Sequence, residues 1–90
     1  MVNDIELNLL KLLASSTDVN WTWYNLDRAM TKRKMEGVGN IARLVRNLSE
    51  AGLVDIIPGS SAGMDYYQVS EQGFRLLEEL HYQNSQSDLS

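Results

Sequence analysis

Residues 37–54 read Gly-Val-Gly-Asn-Ile-Ala-Arg-Leu-Val-Arg-Asn-Leu-Ser-Glu-Ala-Gly-Leu-Val. Ile41, Leu44, Val45 and Leu48 recur at i, i+3, i+4 and i+7, the spacing of one face of an α-helix. Asn40, Arg43 and Asn47 share another face, with Arg46 beside them. Gly52 stands where helices end in a left-handed residue, and Leu53 can fold back onto the last turn. A β-prone run, residues 53–57, follows at once. The stretch therefore predicts a helix over about 39–51, with an apolar face and an Asn/Arg face, leading directly into a strand. Asn and Arg carry the hydrogen-bonding groups that read base edges in the major groove of duplex DNA.

The net charge of −4 over 90 residues argues at first against nucleic acid. Its distribution argues the other way. Residues 28–46 hold six basic residues (Arg28, Lys32, Arg33, Lys34, Arg43, Arg46) against one acid, Glu36, a net of +5, while the rest of the chain carries −9. Segregation of this kind makes one positive patch on a negative body, and the patch coincides with the reading helix. Ninety residues make one small domain. A core of that size is marginal alone, so a homodimer is expected. With no Cys and a single His, neither a disulfide framework nor a thiolate or imidazole metal site is expected, and no cofactor. No run suggests a membrane span or a signal peptide, so the expected setting is cytoplasmic.

Upstream, residues 4–15 read as a first helix, capped by Asn3 or Asp4, with Ile5, Leu9, Leu12 and Leu13 as its core stripe. Leu7 and Leu10 widen the apolar arc. Either the helix is central and buried on most sides, or part of the arc is a dimer interface. Residues 19–21 suggest a short strand. Trp21, Trp23 and Tyr24 are expected to anchor it on the core, with Trp21 the buried ring; an aromatic-lined ligand pocket is the alternative. Thr22 is a candidate cap for a second helix over about 23–31, with Leu26, Ala29 and Met30 inward. Gly37 and Gly39 mark the turn into the reading helix, and Met35 is expected to tuck into the core. Lys32, Arg33 and Lys34 are placed to meet phosphates flanking the groove.

Downstream, a Pro-Gly-Ser-rich loop (residues 58–63) separates residues 53–57 from a second β-prone run, 64–69, which predicts a hairpin. Ser70 reads as the cap of a last helix, with Val69 and Phe74 at hydrophobic-staple spacing. Gly73 is expected to let that helix sit close to the sheet. Phe74, Leu77 and Leu80 are expected to face inward, and Leu76 to remain available for a second surface. Residues 83–90 are polar and are expected to form a disordered tail. The chain has no phosphate-binding Gly loop, no Ser-His-Asp set and no metal-ligand spacing. Glu78 and Glu79 are adjacent and so point apart on a helix. An enzyme is not expected.

The reading helix resembles that of winged-helix transcription regulators, the MarR-like and PadR-like groups. Asn40, Ile41, Ala42, Arg43, Leu44, Val45, Leu48, Glu50, Gly52, Leu53 and Val54 fall in the slots of their pattern. Tyr67-Gln68-Val69-Ser70-Glu71-Gln72-Gly73 resembles the Tyr-x-Leu-Thr-x-x-Gly run that closes the wing in those families. The resemblance covers about residues 4–82, judged by element order. It implies an α+β winged helix-turn-helix domain over residues 1–82: a three-helix core, a β-hairpin wing and a C-terminal helix. It also implies a small sequence-specific regulator binding double-stranded DNA as a dimer. Asn40, Arg43 and Asn47 would lie nearest base edges, and Lys32, Arg33, Lys34 and Arg46 on phosphates. Family wings usually carry an Arg or Lys. This one has none, so only Ser60, Ser61 and backbone N–H groups would touch phosphate there. A small-molecule effector is not expected, because so small a domain leaves little room for a pocket beside its core. The alternative is a winged-helix protein–protein interaction module without DNA binding.

Overall fold

The computed structural model describes residues 3–59 and 65–89, with side chains through residue 80. In chain order the elements are α1 (Asp4–Ser15), β1 (Trp21–Thr22), α2 (Trp23–Lys32), a single 3-10 turn (Val38–Asn40), α3 (Ile41–Glu50), β2 (Val54–Ile57), β3 (Tyr66–Val69) and α4 (Glu71–Leu89). The three strands form one antiparallel sheet in the order β1-β3-β2. This is the α+β winged-helix arrangement that the sequence predicts, with β2 and β3 as the wing hairpin.

The helix limits follow from local chemistry. Asn3 caps α1 through a reciprocal box: its Oδ1 accepts from Glu6 N at 2.8 Å, and Glu6 Oε1 accepts from Asn3 N at 3.1 Å. Thr22 caps α2 by accepting from Asn25 N at 3.2 Å. α3 ends as its sequence predicts. Gly52 takes φ +79°, Leu53 N donates back to Leu48 O at 2.9 Å, and Gly52 N donates to Ser49 O at 3.0 Å. Ser70 joins the two ends of the hairpin: its hydroxyl donates to Gly52 O and accepts from Gly73 N at the start of α4. Gly73 is needed for packing, since a Cβ there would collide with Leu53 O and come within 2.7 Å of Val69 Cγ1.

The core is a single cluster. α1 contributes Leu9, Leu10, Leu12 and Leu13, α2 Leu26 and Met30, and α3 Ile41, Leu44, Val45 and Leu48, with Trp21, Leu53, Val54 and Val69 from the sheet and its approach. Each such side chain contributes about 1.5–3 kcal/mol by leaving water. The apolar stripe of α3 is buried at all four expected positions. Met35 packs against the same cluster.

Two expectations change, and for Leu10 the alternative of a central, buried α1 holds. Leu10 is fully buried within the single chain, so the wide arc of α1 needs no second copy to cover it there; Leu7 is half-buried. Of the three aromatics, only Trp21 is in the core, its indole N–H donating to Ser16 O at 2.9 Å. Trp23 and Tyr24 are 50 % and 48 % exposed, because α2 begins at Trp23 and turns both rings outward. On α4, Leu76 packs on the core beside Leu77 while Phe74 is 38 % exposed. The close seat of Gly73 sets the rotation of the helix and swings Phe74 to its rim. α4 spans Glu71–Leu89. Residues 83–89 contain neither Gly nor Pro, so nothing interrupts the backbone ladder.

Candidate nucleic-acid interface

α3 stands between its buried stripe and an outer face. Arg43, Arg46 and Glu50 lie within roughly 60° of azimuth opposite the stripe, and all three are exposed. Asn40 is exposed at the end of the 3-10 turn that leads into the helix. That entry depends on Gly37, which takes φ +96°; a Cβ there would lie 2.7 Å from Leu44 Cδ1 and 3.0 Å from Ile5 Cγ2. Gly39 has no comparable constraint, since a Cβ would meet open space.

Asn47 sits on the flank of α3 that meets α1. Its Nδ2 donates to Glu6 Oε2 at 2.9 Å. The residue is exposed on its other side, but its carboxamide is held by a partner that the sequence does not reveal. Glu6 was not singled out by the sequence, yet it makes this contact with the candidate face. The signal was the Asn3-x-x-Glu6 box, which predicts a cap but not a buried carboxylate.

The basic turn between α2 and α3 has its own geometry. Lys34 takes φ +55°, the one left-handed residue other than glycine among the described residues. Its N–H donates to Thr31 O at 3.1 Å, and Met35 N donates to Met30 O at 2.9 Å. This is the glycine-type helix ending described for α3, with lysine in the glycine slot. Lys32, Arg33 and Lys34 are all exposed. Arg33 makes a 3.4 Å contact to Ala29 O. Among the described residues, Lys32, Lys34, Arg43 and Arg46 enter no ion pair; the one ion pair joins Arg75 to Glu71 on α4 at 2.8 Å. Arg28 holds its guanidinium 5.7 Å over the Tyr24 ring and donates to Tyr24 OH at 3.2 Å. Trp23 meets Tyr24 edge-on at 6.2 Å. The i,i+4 spacing of Tyr24 and Arg28 was the available signal for this array.

The wing is less informative. Gly59 N donates to Asp65 Oδ1 at 3.4 Å across its base. Ser60 and Ser61 lie outside the described residues. Asp55 and Asp65 are exposed. Burial, and then the Asp65 carboxylate, push the Tyr67 hydroxyl above its ordinary value. An apolar cleft of about 140 Å³ opens between the end of α1, the sheet and α4, lined in part by Leu13, Trp21, Tyr67, Val69 and Phe74. No group of three or more His, Cys, Asp or Glu among the described residues is placed to hold a metal ion. No described helix is long and apolar enough to cross a membrane.

No family model matches the chain, and no curated protein is similar to it in sequence. Two solved structures share its fold. Both are variants of MepR from S. aureus, a winged-helix regulator of the MarR family. One comes from a multidrug-resistant clinical isolate; it superposes with a TM-score of 0.82 at 14% identity. The other gives 0.79 at 13%. Each match covers 98% of this chain, which spans 61% and 62% of the two MepR chains.

Proposed function

We propose that this domain is the duplex-DNA-reading part of a transcription regulator, with α3 entering the major groove. The observation that carries the reading is the unpaired cationic surface of α3 and of the turn before it, on a winged-helix scaffold that presents that helix outward. Arg43 is the candidate for a bidentate contact to guanine, and Asn40 and Asn47 for adenine. Lys32, Arg33, Lys34 and Arg46 would hold phosphates, and Ser60 and Ser61 would add wing contacts. A homodimer would set two reading helices about 34 Å apart, one turn of duplex. The proposed role is regulatory rather than enzymatic, and the proposed setting is cytoplasmic.

Fluorescence anisotropy of a labelled mixed-sequence duplex, titrated at low and moderate salt, tests this. The expected result is binding that weakens by roughly 10³-fold or more between about 50 and 200 mM salt. Absence of binding at low salt would overturn it. A protein-docking module is the second reading, favoured by the exposed Trp23–Tyr24 pair and by a wing without Lys or Arg. Trp and Tyr are enriched at protein interfaces.

A further inference from the structure

One acidic side chain is buried among the described residues. Glu6 is 5 % exposed, and no other charged side chain is buried among the described residues. A glutamate in the first turn of a helix usually caps from the surface, where water solvates its carboxylate. Capping occupies one oxygen of Glu6, which accepts from Asn3 N. The other reaches 41 residues along the chain to Asn47 Nδ2 on α3. Burying a carboxylate among neutral donors is costly, and capping does not require it.

We infer that Glu6 is a positioning residue for DNA readout: it fixes which way the Asn47 carboxamide faces and so sets the base that Asn47 accepts. The inference rests on the proposal that α3 reads duplex DNA. A carboxylate accepts hydrogen bonds and does not donate them, so Asn47 must turn its nitrogen toward Glu6. One Nδ2 proton is engaged there. The second proton and Oδ1 remain, a donor beside an acceptor, which is the pair that matches adenine N7 and its N6 amino group. Asn47 stands one helical turn beyond Arg43, so its free edge and the Arg43 guanidinium share a row along α3. Without Glu6 the carboxamide has no fixed sense, and the flipped form exchanges donor for acceptor.

Selection from a randomised duplex pool by wild type, Glu6→Ala, Asn47→Ala and the double variant tests this. The wild type should enrich a motif containing an A·T pair that Asn47→Ala no longer requires. Glu6→Ala should relax the same pair, with discrimination there falling about three- to tenfold, the effect of releasing one ordered side chain. Its salt slope on random duplex should stay at the wild-type value. The double variant should match Asn47→Ala alone, since the two residues act as a unit. Glu6→Gln is the second variant, for use if loss of the cap leaves Glu6→Ala partly unfolded. It keeps the volume and can still cap through its Oε1, but its Nε2 then faces Asn47 and calls for the carboxamide oxygen, so the preference for the same pair should be lost. A folded Glu6 variant with lower stability but an unchanged motif overturns the inference and leaves readout by α3 standing. A wild-type protein that enriches no motif overturns both.

Discussion

Replacing Lys34 with glycine should make the protein more stable and a weaker DNA binder. The backbone at Lys34 has φ +55° and its N–H is committed to Thr31 O. A residue with a side chain pays about 1–2 kcal/mol to hold the left-handed conformation. Glycine does not, but its freedom in the unfolded chain takes back about 0.4–1 kcal/mol. The net gain is about 1 kcal/mol, which raises Tm by about 4–8 °C in a domain of this size. Lys34→Ala is the control. It removes the same charge but keeps the backbone cost, so its stability should stay within about 0.5 kcal/mol of wild type. Both variants should lower the slope of log affinity against log salt by about 0.9, one phosphate contact, on any duplex. Urea unfolding with unchanged m-values and anisotropy across a salt series read the two effects separately. A Lys34→Gly protein no more stable than Lys34→Ala would refute the strain argument. An unchanged salt slope in both would refute the phosphate role. Strain retained at an exposed cation is a pattern associated with function.

The other predictions concern readout, packing and pH. Arg43→Ala should weaken binding to the selected motif by about 1–3 kcal/mol and relax one base pair; equal losses on motif and random duplex in anisotropy titrations would remove Arg43 from base readout. Gly73→Ala should destabilise the fold by about 1–3 kcal/mol in urea despite alanine's better helix propensity, because backbone at Leu53 blocks the new methyl. The Tyr67 hydroxyl is raised in the folded state, so its contribution to stability is fully present below the ordinary value of 10.0 and is lost as pH climbs through the folded-state value. Tyr67→Phe should flatten that alkaline limb of a Tm-against-pH curve, and an identical limb in both proteins would contradict the assignment.

Much of the fold was legible because its signals are local. The i, i+3, i+4, i+7 stripe of α3, the Gly52–Leu53 ending and the Ser70 cap each lie within a few residues, and each appears as read. Features that depend on distant elements were not legible. Asn47 reads as a free side chain until α1 is packed against α3 and delivers Glu6. Leu10 reads as surplus apolar area until the other helices and the sheet close over it. Trp21 is buried as its sequence position suggests, but Trp23 and Tyr24 do not join it as anchors, because β1 gives way to α2 at Trp23 and turns both rings outward. The left-handed turn at Lys34 is not legible because no glycine marks it, whereas the turn at Gly37 is.

The Ser70 bridge has a consequence for how this domain can diversify. Because Ser70 ties Gly52 to the first turn of α4, the chain between them is a loop already closed at its neck. Lengthening such a loop costs only about 0.6 kcal/mol for each doubling of its length. The hairpin tip is therefore a separable cartridge. On the proposed role, a longer or lysine-bearing segment inserted between Gly59 and Asp65 would add phosphate contacts and raise affinity for any duplex, with α3 and the core left as they are.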